Sequence, residues 1–293
     1  MLGRTVTNPG FLGKDDAMNA LFVNRVMFAG FGKGKPETSV FGIEAPIEMM
    51  GFRSGVGALI MSDKAGFSNT VNVDLSYTYR QKFEIGQIGV GLTVGFNNFS
   101  IEPEWYVPEN IEAYSVSLSD PTFATQMSDI SLGIGIGAVY ETPQYYIGLS
   151  VSKLKRNEIS TTTGTPTRFY YDVPHYYITG GYNIKMPNPL VELRPSFMLR
   201  SDLSAYVLDA NGVFYFGEKY LAGGGIRLTP RNFAALTFLG GLELVNGLRL
   251  NYGLDINTGL MMLYGLTSHE VTLTYSFNLD MKRNQKYKSI RYL

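Results

Sequence analysis

The chain has 293 residues, with 25 Lys and Arg against 25 Asp and Glu and no cysteine, which removes a disulfide framework, a thiolate metal site and any chain-wide pull toward nucleic acid. Charged residues reach only 17%, below the roughly 25% of soluble domains, while Tyr and Phe number 20 and 18, an unusual make-up for a surface that faces water. No uncharged apolar run attains the roughly 18 residues of a membrane helix, so the chain does not read as a helical membrane protein.

The start, MLGRTVTNPG, has no positively charged stretch leading into an apolar one and so shows no secretory leader. Residues 1–18 are expected to form a separate N-terminal segment ahead of the first strand. Period-two alternation then marks strands near 19–30, 36–47, 51–62, 68–80 and 87–99. In the fourth, Val71, Val73, Leu75, Tyr77 and Tyr79 alternate with Asn72, Asp74, Ser76, Thr78 and Arg80. In the fifth, Ile88, Val90, Leu92, Val94 and Phe96 alternate with Gly89, Gly91, Thr93, Gly95 and Asn97. After a long segment at 100–129, Ile130, Leu132, Ile134, Ile136 and Ala138 alternate with Ser131, Gly133, Gly135 and Gly137 in a strand at 130–141. A tight E-T-P turn leads to 143–153, and a second long segment occupies 154–172. Further strands are expected at 173–184, 190–200, 203–216, 218–228, 231–243, 246–256 and 268–280, followed by a basic tail at 281–293.

These are about fourteen strands of roughly 10 to 13 residues, twice the usual soluble length and long enough, when tilted, to cross hydrocarbon. The connections sort by parity. Long candidates follow strands three (DKAGF), five, seven and thirteen (TGLMMLYGLTS), whereas E-T-P, K-M-P-N-P, G-E and V-N-G after even strands are tight. Outer-membrane barrels place short turns in the periplasm and long loops outside. The expectation is therefore an all-β protein, a transmembrane antiparallel up-and-down β-barrel of about 14 strands over 19–280, with both termini periplasmic, residues 1–18 included. A soluble β-sandwich is the rival, and strand length and loop parity speak against it. The apolar face meets lipid and the bare face lines a lumen, while Tyr140, Tyr145, Tyr146, Phe214, Phe216 and Tyr220 at strand ends suit interfacial girdles.

Catalytic chemistry finds little support. The two histidines, His175 and His269, lie in separate strands, and although Ser268-His269-Glu270 holds the residue types of a hydrolase, neighbours on a strand face opposite ways. Asp63 and Asp74 are too far apart for a calcium loop, and Lys33-Gly34-Lys35 lacks the ending of a phosphate-binding loop. No catalytic residue, cofactor or metal site is expected. The inward face is richer: Gly89, Gly91, Gly95, Gly133, Gly135, Gly137, Gly223 and Gly225 leave space among charges of both signs, among them Glu44, Arg53, Arg80, Glu192, Arg194, Asp209, Arg227, Arg249, Asp255 and Glu270. Two readings stand, a wet and self-paired lumen, or strands five to seven making room for a plug or a partner's peptide. The tail MKRNQKYKSIRYL is either a frayed basic end or a periplasmic docking segment carrying Lys286, Lys288 and Arg291.

Several segments, in order, resemble the PorP/SprF outer-membrane proteins of the type IX secretion system of Bacteroidota. They are Asn8-Pro9-Gly10, similar to the family's Tyr-Asn-Pro-Ala, then PETSVFGIEAPI, VGALIMSDKAGFSNTVNVDLSYTYR, DPTFA, GAVYETPQYYIGLSVSKL, HYYITGGYNI, LRPSFMLR, GVFYFGEKYLAGGGIR and SHEVTLTYSF. The closing KSIRYL resembles a Pro-Arg-Tyr-Phe ending, with Ile290 for the proline and Leu293 for the aromatic. The resemblance implies a non-enzymatic barrel of the bacterial outer membrane that supports export or surface attachment of a secreted protein, such as a large adhesin with a C-terminal sorting domain, in some members for gliding motility. Its implied partners are that adhesin or its sorting domain, the secretion machinery with its periplasmic ring lipoproteins or translocon, and outer-membrane lipid. Asp63, Lys64, Gly66, Asp120, Pro121, His269 and Glu270 carry over as motif positions without an assigned role. A channel for small solutes is the alternative.

Overall fold

The computed structural model describes residues 3–49, 51–102, 127–155, 157–160, 168–217, 219–230, 233–258, 262 and 267–278. Fourteen strands form one closed antiparallel barrel in which each pairs with its neighbours in sequence and the last pairs with the first. The strands are β1 Ala17–Ala29, β2 Glu37–Met49, β3 Phe52–Ala65, β4 Ser68–Lys82, β5 Gln87–Ile101, β6 Met127–Glu141 and β7 Tyr145–Ser152. They continue as β8 His175–Tyr182, β9 Val191–Ser201, β10 Tyr206–Phe216, β11 Tyr220–Leu228, β12 Phe233–Val245, β13 Leu248–Asn257 and β14 Thr267–Asn278. Each coincides with one of the fourteen alternating runs of the sequence. A two-residue strand, Ile184–Lys185, extends β8, and outside the barrel Asn157–Ser160 pairs with Arg168–Asp172.

Closure answers a solvent problem. Hydrocarbon offers no hydrogen bonds, so an edge strand there leaves each backbone group at a cost of several kcal/mol. The ladder from Ala17↔Asn278 to Ala29↔Thr267 removes that edge, with a bulge between Val26 and Ala29 where Phe28 takes a φ of 51°. Outward residues are apolar and exposed, as at Leu75, Leu92, Phe96, Ile130, Leu149 and Phe238. Such a surface is costly in water and suited to lipid.

The turns after even-numbered strands are short, as between β2 and β3, β6 and β7, and β12 and β13. Gly247, at a φ of 84°, supplies the left-handed backbone that the last of these needs. Both β1 and β14 place their chain ends on this same side, here the turn end; the opposite side is the loop end. DKAGF is not a long connection: β3 runs to Ala65 and β4 starts at Ser68, so Gly66, at a φ of 62°, turns the chain in two residues. Asp63 and Lys64 read as loop because they are charged, yet each pairs in two ladders, since strands of this barrel extend past the apolar band. The segment 102–126 and the tail 281–293 fall wholly or largely outside the described residues.

At the turn end Tyr140 and Tyr145 pack 6.1 Å apart and Phe214 and Phe216 6.4 Å apart, facing out with Tyr220 as a girdle. Tyr146 does not join them. It lies on the same face of β7 as buried Gly148 and Ser150 and points into the lumen.

Candidate functional site

The lumen is filled at its turn end by the chain's own beginning. Arg4–Thr7 makes one helical turn and Pro9–Phe11 a 3₁₀ turn, and the resulting strap lies across the inner face of β3 to β7. Asn8 is fully buried, and Phe11 and Leu12 are each 4% exposed.

Asn8 explains the turn. Its Oδ1 accepts the Gly10 amide at 2.8 Å, while its Nδ2 donates to the carbonyls of Ala138 and Leu149, both at 3.2 Å. Those two residues face each other across the β6–β7 ladder, so one amide reads two strands. This demands bare wall beneath it: a Cβ at Gly137 would come within 2.1 Å of Asn8 Oδ1. The same holds along the strap. A Cβ at Gly89 would lie 2.3 Å from the Gly10 carbonyl oxygen, at Gly91 2.7 Å from the Pro9 carbonyl carbon, and at Gly55 2.5 Å from that of Leu12. Glycine here serves close backbone approach.

Between these glycines β4 contributes donors. Thr78 Oγ1 donates to the Pro9 carbonyl at 2.5 Å, and Arg80 Nη1 donates to the carbonyls of Gly10 and Leu12, both at 3.0 Å. The Arg80 side chain is fully buried and its Nη2 pairs with Glu141, which Lys14 of the strap also reaches at 3.2 Å. At the mouth Arg53 donates to the Lys14 carbonyl at 2.7 Å and pairs with Asp16 at 2.8 Å. Ser150 donates to the Thr7 carbonyl at 2.8 Å. Phe11 meets Tyr146 edge-on at 5.6 Å, and the Arg4 guanidinium sits 4.1 Å over the Tyr146 ring. Each apolar anchor contributes about 1.5–3 kcal/mol and each charge-assisted hydrogen bond about 1.5–3 kcal/mol, against the entropy of ordering the segment.

The opposite wall fills itself. Arg25 pairs with Asp255 at 2.5 Å and with Glu270 at 3.0 Å; Arg227 pairs with Asp209 at 2.6 Å and with Asp255 at 2.8 Å. Thr237 adds a hydrogen bond to Asp255 at 2.8 Å. Between the walls lies a cavity of about 680 Å³, bounded in part by Thr5, Val6 and Thr7 of the strap. On its loop side, buried Asp172 pairs with Lys153 and receives Asn97, tying the foot of the outer hairpin into the lumen.

The motif positions do not converge on one site. Asp63 lines the cavity and accepts from Thr38 Oγ1 at 2.5 Å; Lys64 is exposed, opposite Glu37; Gly66 only turns the chain. On β14, Glu270 points inward to Arg25, and Ser268 inward to the Phe28 amide at 3.2 Å. His269 faces outward, its Nδ1 2.6 Å from Tyr252 Oη and its Nε2 3.0 Å from Thr267 Oγ1. Serine, histidine and carboxylate therefore do not meet. His175 points inward, with Nδ1 2.8 Å from the Val173 carbonyl. Among the described residues no group of three or more His, Asp or Glu side chains could hold a metal ion. Asp120, Pro121, Lys286, Lys288 and Arg291 lie outside the described residues.

Of the inward glycines, Gly89, Gly91 and Gly137 lie under the strap, while Gly133 and Gly135 line the cavity. Gly223 and Gly225 pack instead on Val213 and Asn211 of their own wall. The occupant's side of the site, Asn8 to Leu12, has no periodicity by which sequence reasoning finds an inserted segment; the nearest signal is the Asn-Pro-Gly turn itself.

The profile of the family described as "Type IX secretion system membrane protein PorP/SprF" matches residues 2–275. No curated protein matches the chain. Among solved structures the fold is similar to that of the Pseudomonas putida toluene transporter TodX, at 9% identity and a TM-score of 0.52, over 94% of this chain and 93% of that one. It is also similar to the Acinetobacter baumannii outer membrane protein Omp33, at 5% identity and a TM-score of 0.51, over 90% of this chain and 98% of that one. At these identities the likeness is one of fold.

Proposed function

Because the chain belongs to the PorP/SprF family of type IX secretion system membrane proteins and is a barrel of the bacterial outer membrane, we propose that it is an accessory of that system that supports export or surface attachment of a secreted protein. The client in this reading is a large adhesin with a C-terminal sorting domain, and gliding motility is one setting for it. The observation that carries the reading is the strap. A lumen whose turn end is filled by its own N-terminal segment, held through Arg80, Asn8 and Thr78, suits a protein that holds a partner better than one that passes solutes freely. In an outer-membrane barrel the turn end faces the periplasm, which puts the strap's exposed Asp15 and Asp16 within reach of ring lipoproteins or the translocon. The segments 100–129 and 154–172 on the loop end, and the basic tail with Lys286, Lys288 and Arg291, are the proposed contact regions.

The test is purification of the native protein from its outer membrane in mild detergent, with identification of bound proteins by mass spectrometry. Recovery of a secreted protein bearing a type IX sorting domain, or of ring components, is the expected result. A barrel that stays alone even after crosslinking in cells contradicts the reading. A second reading, a channel for small solutes, has the 680 Å³ cavity in its favour. It requires appreciable single-channel conductance, which a strapped anchor does not show.

A further inference from the structure

Nearer the loop end than the strap, the inner faces of β4 and β5 bring three acceptors to the cavity wall: Asp74, Asn72 and Asn97. Asn72 and Asn97 are cross-strand partners, each 3% exposed, and the side-chain oxygen of each has no donor among the described residues. Asp74 follows Asn72 on the same face. Its carboxylate lies across Gly95, where a Cβ would come within 2.0 Å of Asp74 Oδ1, so the bare position opposite lets it settle against the wall. Among the described residues Asp74 forms no hydrogen bond or ion pair, and Lys153, the cation that acts on it, is engaged by Asp172.

Buried acceptors left without donors are rare in folded proteins and mark places where something else supplies the donors. A metal ion fits poorly, because no three His, Asp or Glu side chains converge among the described residues. A primary ammonium matches the missing donors in kind: it carries one positive charge and three N–H groups, and this stretch of wall holds one carboxylate and two amide oxygens. A cavity of about 680 Å³ falls in the size range of small-molecule sites and has room for the carbon chain that carries such a group.

We propose that Asp74, Asn72 and Asn97 form a binding site inside the barrel for a primary ammonium group, carried either by a small free amine or by a lysine side chain of an inserted peptide. The site is independent of the identity of the secreted client. Its failure leaves the secretion reading standing, because that reading is tested by what copurifies.

The test is calorimetric titration of the full-length protein in detergent with n-pentylamine, and with 1-pentanol as its uncharged counterpart. The amine is expected to bind at least tenfold more tightly than the alcohol. Asp74→Asn is expected to remove at least tenfold of that affinity and Asn72→Leu several-fold, whereas Asp202→Asn, in an exposed turn, leaves it unchanged. Heat-modifiable gel migration establishes that each variant is folded. Should Asp74→Asn not fold, Asn72→Leu decides alone. Equal binding of amine and alcohol, or amine binding that both inner variants leave intact, overturns the proposal. A short peptide with one central lysine that binds tenfold more tightly than pentylamine assigns the site to a peptide; pentylamine binding at least as tightly assigns it to a free amine.

Discussion

The two walls of the lumen solve one packing problem in opposite ways. On β9 to β14 and β1 the wall fills itself, with Arg25, Arg200 and Arg227 pairing with Asp209, Asp255 and Glu270 across the space. On β3 to β7 the wall is stripped to Gly55, Gly57, Gly89, Gly91, Gly137 and Gly148, and a separate segment fills the gap, anchored by donors of β4. A self-filled wall unfolds with the barrel. A wall filled by a strap has a second, local equilibrium, and that difference is what mutations can separate.

The largest effect is expected from Arg80→Ala. It strips the Gly10 and Leu12 carbonyls of their donor and leaves the buried Glu141 to Lys14 and a long hydrogen bond from Gln87. Breaking a buried pair costs about 3 kcal/mol. Amide exchange at Gly10 and Leu12 should rise about a hundredfold, read by hydrogen–deuterium exchange, while the exchange of β9 to β14 stays unchanged. Asp255→Asn attacks the other wall and removes partners from both Arg25 and Arg227, which keep Glu270 and Asp209. About 2 kcal/mol of barrel stability should be lost in urea unfolding, with strap exchange unaffected. Coupled losses in both walls from either variant would mean that strap and barrel open as one unit.

Smaller effects separate the two walls further. Gly89→Ala drives a methyl into the Gly10 carbonyl, an overpacking worth at least about 1 kcal/mol against strap docking. Gly240→Ala, where no atom lies within 4 Å of the added Cβ, should change stability by less than about 0.5 kcal/mol. Least of all is Asp202→Asn in the β9–β10 turn. The backbone amides of Ala205 and Ser204 hold the Asp202 carboxyl below its ordinary value. A lowered folded-state pKa means stabilisation that is present above the ordinary carboxylate value and lost as pH falls through the lowered one. The variant should therefore flatten the acid limb of a melting-temperature profile slightly and leave it unchanged near neutrality.

The barrel was legible because lipid on one side and lumen on the other impose period two on every strand, as Val90, Leu92 and Val94 between Gly89, Gly91 and Gly95 display. Where the environment is mixed, pattern failed. Asp63 and Lys64 looked like loop because they stand beyond the hydrocarbon, although they remain in the ladder. Tyr146 looked like girdle because an aromatic at a strand end usually is; its parity with Gly148 and Ser150 points it inward to Phe11. The glycines announced vacant wall but not its occupant. Asn8, Pro9 and Gly10 signal a turn, and a turn residue says nothing of the surface it will meet 130 residues further on, where Asn8 reaches Ala138. Asp209, Arg227, Asp255 and Glu270 were legible as inward, but Arg25, which pairs with two of them, was not, and the pairing itself depended on register across five strands.

Because the chain has no cysteine of its own, engineered thiols can report directly whether the strap lies in its glycine lane. Leu12 points at Gly57, where an added Cβ would lie 2.8 Å from Leu12 Cδ2. Leu12→Cys combined with Gly57→Cys, produced in native outer membranes and probed by alkylation after mild oxidation, is predicted to form a disulfide that protects both thiols. Two thiols that stay fully reactive in a folded barrel would contradict the account.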